Sequence, residues 1–539
     1  MRIPSGSSAE TASSQPAGPA APSWRAAAGY PATLLAGVVS GVVTALAFPP
    51  ADVGPLAFVS LVPLALVFRA TDGPKGWRRA GVAGLGFGAV FFALLLPWIH
   101  LFGLAAYLLL VGLETVIVAA GLVAGVALRR SLPGDLKVLA FPAAMLAGEF
   151  VRSHVPLGGF PWGGLGYSQH NDAAVLHLAA YTGVWGVGFL VALVNALVAE
   201  AVAALRRSPA RALVQALARA LALLVGAGAL AVAPILLPVT TPQGAALTVG
   251  LVQRAPPDPG ASAAAQQAQS QSEEAALTEA MVSDHPGIGL VVWPESSYDV
   301  YPLAEDFDSA PLVAAIQSSH AWFVIGASLD ASEGTAHPRF RNESLFFAPD
   351  GSIIARYVKL HLVPFGEYVP ARRLLAGWIH ELDRVPADGI AGTEATVFSL
   401  PQGRVASVIC YETAYPELVG AFVAKGARMI VVSTNNSSYG RSAASAQMVA
   451  ISQLRAAEQR MWVAQAALTG ISAVIDPSGR VVERTGLFTS ATLVATVRLA
   501  SGRSPYGVAG DWLPALVLLG GAAWTVAGAV RGEGSARAA

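Results

Sequence analysis

A single cysteine, Cys410, stands in 539 residues, so an intrachain disulfide is excluded, and no C-x-x-C or H-E-x-x-H spacing marks a metal centre. Charge is scarce as well. Asp, Glu, Lys and Arg make up 13% of the chain, against roughly a quarter in an ordinary soluble domain. The 34 basic and 34 acidic residues cancel, and no long block of like charge occurs, so nothing is present to attract nucleic acid. The composition calls for no cofactor. What is abundant is apolar: 54% of the residues are hydrophobic and the mean hydropathy is positive, which points to lipid as the solvent for much of the chain.

Residues 1–28 are rich in Ser, Ala, Pro and Gly without an apolar stretch, and read as a disordered tail rather than a secretory signal. Apolar runs follow at 31–48, 53–68, 80–102, 104–128, 136–151, 176–205 and 212–238, with one more at 512–530. Most approach or exceed the length needed to cross a hydrocarbon core of roughly 30 Å. Basic residues fall in every second connection: Arg69, Lys75, Arg78 and Arg79; Arg129, Arg130 and Lys137; Arg206, Arg207 and Arg211; Arg531 and Arg537. By the bias of Lys and Arg toward the cytoplasm, both termini are expected there, with eight spans. The segment between the last two runs is expected on the opposite, extracytoplasmic face.

That segment has another texture. Short β-branched runs at 246–253, 288–293, 322–328, 343–349, 352–358, 404–410, 428–434, 471–476 and 493–498 predict strands. Stretches at 262–284, 309–319, 416–425 and 443–466 predict helices, so this is an α/β domain large enough to bury its own core. The expected organisation is a tail at 1–28, a seven-helix membrane domain at 29–240, an α/β domain at 241–505, a C-terminal span at 506–531 and a cytoplasmic tail at 532–539.

Three motifs lie at or just after predicted strand ends, where α/β folds tend to gather functional groups. In Val291-Val292-Trp293-Pro294-Glu295 an apolar strand stops at a carboxylate. Taken alone, Glu295 is more often a solvated strand end. In the run from Lys359 to Pro370 a lysine closes a strand and opens a Pro/Gly-punctuated loop that carries Glu367. In Ile409-Cys410-Tyr411-Glu412 a cysteine sits at a strand-to-helix turn, where free amides and the helix dipole favour a thiolate and an oxyanion. A lone cysteine is usually an inert core residue. A glutamate that takes the thiol proton and a lysine that stabilises an oxyanion would make it a nucleophile holding an acyl group as a thioester.

Glu, Lys and Cys in this order on strand ends resemble the nitrilase, or carbon-nitrogen hydrolase, superfamily, which implies an α-β-β-α sandwich. The run Leu362 to Pro370, the triplet Cys410-Tyr411-Glu412 and the stretch Phe160-Pro161-Trp162-Gly163-Gly164-Leu165-Gly166-Tyr167-Ser168-Gln169 resemble its apolipoprotein N-acyltransferase branch. The resemblance implies Glu295 as general base, Lys359 as oxyanion stabiliser and Cys410 as nucleophile, with Glu367, Tyr411 and Glu412 in support. It implies a phospholipid, typically phosphatidylethanolamine, as acyl donor and the α-amine of diacylglyceryl-cysteine in an apolipoprotein as acceptor. Both are held in membrane lipid of a bacterial cytoplasmic (inner) membrane. No metal or cofactor is implied.

The chain departs from the family pattern at Thr434-Asn435-Asn436-Ser437-Ser438-Tyr439-Gly440, where an Asn-Asp pair and aromatics are usual, and at Leu468, where asparagine is expected. Arg254-Ala255-Pro256-Pro257 after the first strand also differs. Both of the first two stretches are expected to line the cleft and to bear on acyl-chain or acceptor preference. Intramembrane Glu114 reads either as part of a polar pathway or as a structural group, and Glu200 reads as interfacial. Trp98, Trp162, Trp185 and Trp512 read as an interfacial belt, and His361 reads as satisfied by loop backbone. Two other functions stay open: a membrane-tethered amide hydrolase of the nitrilase type, and a non-catalytic anchor for a glycosyltransferase acting on lipid-linked sugars.

Overall fold

The computed structural model describes residues 29–207, 213–257, 260, 263–298, 310–333, 337–370, 372 and 385–538. The expected tail at 1–28 lies outside them. All eight apolar runs contain helix. Among the described residues five helices are long and apolar enough to cross a membrane: Gly76–Leu95, Leu104–Ser131, Ala173–Arg206, Leu213–Leu236 and Trp512–Val530.

The first run forms the 17-residue helix Gly29–Ala45, and the second and fifth are shorter still for reasons visible in the sequence. Pro55 and Pro63 cut the second run into a 3-10 turn, Gly54–Leu56, and the short helices Ala57–Ser60 and Val62–Arg69, because a proline nitrogen cannot donate to the preceding turn. The fifth run begins as a 3-10 turn, Gly134–Leu139, and only Ala140–Arg152 is α-helical; 13 residues span about 20 Å. The third run, although it holds one of the five long helices, also ends before its predicted boundary. Helix Gly76–Leu95 stops at Pro97, and Pro97–Phe102 forms a 3-10 turn closed by Gly103 at φ +124°.

Helix Ala173–Arg207 is broken at Gly183, whose φ of +65° and ψ of −172° leave the helical region. A Cβ at this glycine would lie 2.6 Å from the Tyr506 ring. The break frees the amide of Val184, and Glu458 of the α/β domain accepts its hydrogen at 2.6 Å. A kink in a membrane helix thus becomes a docking point for the other domain.

Among its described residues the α/β domain holds thirteen strands: β1 (Ala246–Gln253), β2 (Leu290–Val292), β3 (Trp322–Asp330), β4 (Arg339–Phe347), β5 (Ile353–Val358), β6 (Asp388–Gly389), β7 (Val397–Leu400), β8 (Gly403–Ile409), β9 (Ile430–Thr434), β10 (Val463–Ala467), β11 (Ala473–Ile475), β12 (Val481–Arg484) and β13 (Ala491–Arg498). One sheet runs β13-β1-β2-β3-β4-β5, with β6 on β4, and the other runs β12-β11-β10-β9-β8-β7. The sheets face one another. Phe346 stacks on Phe398 across the gap at 4.7 Å, and Ser407 donates to Ser344 at 2.8 Å. Helices Ala263–Asp284 and Ala310–Ser319 cover the first sheet, while Pro416–Ala424 and Ala444–Gln459 cover the second, which is the expected α-β-β-α sandwich. The nine predicted strands are all present. The short β6, β7 and β12 were not legible as apolar runs, and β10 lies in the last part of the predicted 443–466 helix, which ends at Gln459 because Arg460 turns left-handed at φ +52°.

Candidate active site

Four strand ends converge. β2 leads to Glu295, β5 to Lys359 and β8 to Cys410, and Thr434 is the last residue of β9. Because β2 runs parallel to β3, and β8 to β9, their C-terminal ends open on one side, where side chains are not consumed by the sheets. Glu295 sits on a tight elbow against β3. Gly326 makes that possible: a Cβ there would meet the Pro294 carbonyl oxygen at 2.4 Å and Glu295 Cα at 2.5 Å.

Lys359 Nζ lies 3.3 Å from Glu295 Oε1 and 2.8 Å from Glu367 Oε1, with its side chain almost fully buried. Asn342 Nδ2 donates to the same two oxygens, at 2.7 Å to Glu295 and 2.9 Å to Glu367. The second oxygen of Glu295 accepts from the Asn435 amide at 2.8 Å, and the Cys410 thiol lies close enough to act on this carboxylate electrostatically. Thr434 Oγ1 lies 3.1 Å from Cys410 Sγ. Glu295, Lys359, Glu367 and Asn342 therefore form one hydrogen-bonded cluster, and Cys410, held by Thr434, lies beside it.

Burial alone would raise the Glu295 carboxyl, but Lys359, Asn342, the Cys410 thiol and the Asn435 amide together hold it below the ordinary carboxylate value. Burial opposes the Lys359 charge; Glu295 and Glu367 prevail and hold it well above an ordinary lysine. Burial, and then the negative charge of Glu295, push the Cys410 thiol up to about 12. The resting cluster is a neutral thiol beside a carboxylate and an ammonium. With the thiol raised in this way, the protonated sulfur is the favoured form at neutral pH.

Cys410 adopts φ +52°, a left-handed conformation that costs a non-glycine residue energy and therefore needs outside support. Glu412 supplies it. Its Oε2 accepts from the Ile409 amide at 3.0 Å, and its Oε1 accepts from the Tyr357 hydroxyl at 2.8 Å and the amides of Leu360 and His361 at 2.7 and 3.0 Å. One buried carboxylate thus ties the cysteine turn to the loop that follows Lys359. Burial pushes Glu412 up to about 7, while Lys359 and those amides pull it down.

Tyr411 points toward the membrane domain. It stacks on Phe160 at 6.0 Å and Trp162 at 6.4 Å, and its hydroxyl donates to the Gly159 carbonyl at 3.4 Å. Arg152 holds this aromatic stretch from below. Its Nη1 donates to the carbonyls of Phe160 at 2.9 Å and Trp162 at 2.8 Å and pairs with Glu114 at 3.1 Å, both side chains being 1% exposed. Glu114 is therefore the buried counter-ion of a loop-holding arginine. Trp162 also donates to Gln447 at 2.7 Å, and Trp98 packs on both Trp162 and Tyr439.

This corrects the reading of an interfacial belt. Trp98, Trp162 and Trp185 are buried at 5%, 1% and 4% exposure, and of the four only Trp512 is exposed. The His361 ring is not held by loop backbone: it packs, tilted by 30°, against Tyr415 at 4.3 Å, while its backbone amide donates to Glu412. Glu200 pairs with Arg69 at 2.8 Å. Sequence reasoning missed Asn342 and Tyr357, and it placed Thr434 only within a stretch expected to line the cleft. The signal for Asn342 was a polar Arg339 to Ser344 run inside a strand whose other half is apolar; Tyr357 carried none.

Among the described residues one trio, His154, Glu417 and Asp511, brings potential metal-ligand atoms within 4.8 Å of one another. Asp511 Oδ1 there already accepts from Trp185 Nε1 and the Tyr506 hydroxyl, and His154 Nδ1 faces the Phe150 carbonyl.

Residues 40–197 match the model of the apolipoprotein N-acyltransferase N-terminal domain, and residues 248–504 match carbon-nitrogen hydrolase. An apolipoprotein N-acyltransferase of Geobacter metallireducens is 31% identical over 88% of this chain and 91% of its own length. That of Gloeobacter violaceus is 31% identical over 91% and 93%. Saccharomyces cerevisiae Nit3, a member of branch 10 of the nitrilase superfamily, aligns with 48% of this chain and 92% of its own at 18% identity and a TM-score of 0.36. With both domain models matched in order and full-length relatives aligned across both domains, the chain belongs to the apolipoprotein N-acyltransferase family.

Proposed function

We propose that this bacterial membrane protein moves a fatty acyl chain from a phospholipid, through a thioester on Cys410, to the N-terminal α-amine of a diacylglyceryl-cysteine lipoprotein. The observation that carries the reading is the buried Glu295, Lys359 and Cys410 cluster, joined through Tyr411 to a loop of the membrane helices. In the first half-reaction Glu295 takes the thiol proton as sulfur attacks the ester carbonyl, and Lys359 faces the oxyanion. Collapse expels the lysophospholipid, whose oxygen takes the proton back from Glu295. In the second half the amine attacks, loses its proton to Glu295, and the amide forms as sulfur leaves.

Glu367 orients Lys359, Glu412 fixes the cysteine turn, and Tyr411 couples the site to the aromatic stretch. Both substrates are lipid-anchored, which gives a physical reason to tether the domain to apolar helices. The alternating Lys and Arg residues support cytoplasmic termini and an extracytoplasmic catalytic domain.

The test is to incubate the purified protein with a phospholipid bearing a labelled acyl chain. Hydroxylamine-sensitive label is expected on the wild type and not on Cys410→Ala, and it should chase onto a diacylglyceryl peptide with a free amine. Label that is released only to water would establish a hydrolase, and absence of label from folded wild type would overturn the thioester route for that lipid.

A further inference from the structure

Thr434 is fully buried at the end of β9, with its backbone pinned by the Leu468 amide on its carbonyl at 2.9 Å. Its single hydroxyl hydrogen faces two acceptors: Cys410 Sγ at 3.1 Å and Asn436 Oδ1 at 2.7 Å. A β-branched side chain holds few rotamers, so the hydroxyl stays in reach of both and only its hydrogen turns. We propose that Thr434 is a catalytic residue whose hydroxyl donates a hydrogen bond to the Cys410 sulfur whenever that sulfur carries negative charge. The assignment rests on Cys410 being the acylated nucleophile.

In the resting site the sulfur is a neutral thiol and a poor acceptor, so the Thr434 hydrogen is better placed on the Asn436 oxygen, the nearer of the two at 2.7 Å. As the thiol proton passes to Glu295, sulfur becomes the strongest acceptor near the hydroxyl, and the hydrogen swings to it. Asn436 suits this exchange. Its backbone is left-handed at φ +58°, and its buried Nδ2 lacks a hydrogen-bond partner and packs against Gly470, where a Cβ would lie 2.8 Å from it. An amide can turn over and donate to Thr434 Oγ1, leaving the hydroxyl hydrogen to sulfur; a carboxylate could only accept.

The proton balance is complete without Thr434 losing its own proton. The S–H bond breaks toward Glu295 while the C–S bond forms and the ester π pair moves onto oxygen. In the second half-reaction the C–S bond breaks, its electron pair returns to sulfur, and Glu295 reprotonates the thiolate. Thr434 supports sulfur at both moments. The other titratable groups around the sulfur are Glu295, Lys359, Glu367, Glu412, Tyr411 and Tyr439, and of these Lys359 alone is a cation. A neutral donor on the β9 side therefore supplies stabilisation that the two glutamates beside Lys359 largely cancel.

The chain's only cysteine makes the test direct, since iodoacetamide alkylation of Cys410 can be followed by intact mass on the full-length protein. Below the thiol's own titration the rate tracks the thiolate fraction, so a lost donor lowers it at every pH from 7 to 10. A hydrogen bond to a charged group shifts the thiol by about one to two pKa units, and the nucleophilicity gained with basicity offsets roughly half of this, leaving a fall of about three- to fifteenfold for Thr434→Val. Thr434→Ser should stay within about twofold of wild type, and Thr434→Ala should follow Thr434→Val. Single-turnover thioester formation should fall in the same order. An unchanged alkylation rate in folded Thr434→Val or Thr434→Ala overturns the proposal, as does a Thr434→Ser variant as slow as Thr434→Val. If wild type alkylates normally but forms no acyl thioester, the acyl-transfer reading fails separately.

Discussion

The pair Glu114 and Arg152 links the apolar helices to the chemistry, and Arg152→Met measures that link. The substitution leaves Glu114 buried at 1% exposure without its counter-ion and strips a donor from the carbonyls of Phe160 and Trp162. Breaking a buried pair by removing one partner costs about 3–5 kcal/mol, because the remaining charge stays desolvated. Glu114→Gln keeps a polar partner for the guanidinium and should cost less, about 1–3 kcal/mol. The double variant Glu114→Leu/Arg152→Met removes both charges and leaves only the two carbonyls unpaired, so it should be more stable than Arg152→Met alone. Such a sign reversal is the signature of a coupled pair. Unfolding in detergent, followed by tryptophan fluorescence, gives the stabilities. The same proteins, tested for thioester formation below their unfolding range, report the aromatic stretch under Tyr411. A displacement near 1 Å there is worth up to about a hundredfold in rate, so the double variant should recover stability without recovering activity. Additive stabilities, or a double variant as active as wild type, would refute the reasoning.

Glu412 is expected to govern an acid limb. It titrates at about 7, and its four donors fit only the ionised carboxylate, so thioester formation should fall as pH drops through about 7, while Glu412→Gln is slow and lacks that limb. Because its folded value is raised, the stability linked to Glu412 runs the other way: it is full at acid pH and is lost as pH rises through about 7, a slope that Glu412→Gln should abolish in pH-dependent unfolding. Asn342→Leu removes a donor that holds Glu295 low, so its carboxyl should rise and the acid edge of thioester formation set by Glu295 should move to higher pH. The stability owed to the depressed Glu295 is present above the usual carboxylate range and lost as pH falls through its folded value; Asn342→Leu should shrink it. Gly326→Ala drives a Cβ into the Pro294 carbonyl and Glu295 Cα and should lower thioester formation at least tenfold with the protein still folded, as judged by circular dichroism.

The sequence by itself determined the elements whose signals are local. Apolar runs and basic connections marked where helices form, and β-branched runs marked nine strands, because burial in lipid or in a sheet imposes a period on neighbouring residues. It also placed Glu295, Lys359, Glu367 and Cys410 as candidates, since strand ends and irregular apolar loops are readable one segment at a time, while Tyr411 and Glu412 entered through the family resemblance. Tertiary structure decided which of these touch. Asn342 bridges Glu295 and Glu367 from the middle of β4, Thr434 reaches Cys410 from the next strand, and Glu412 binds a loop some fifty residues away. Helix lengths were misjudged where prolines broke apolar runs, since hydropathy counts side chains and ignores lost backbone donors. Of the tryptophans read as an interfacial belt, Trp98 and Trp162 are buried because a membrane loop and the turn after β8 meet there, and Glu114 acquired its meaning from Arg152. No pattern along one chain encodes a contact between segments that fold separately; it exists only once both surfaces are packed and their charges must find partners.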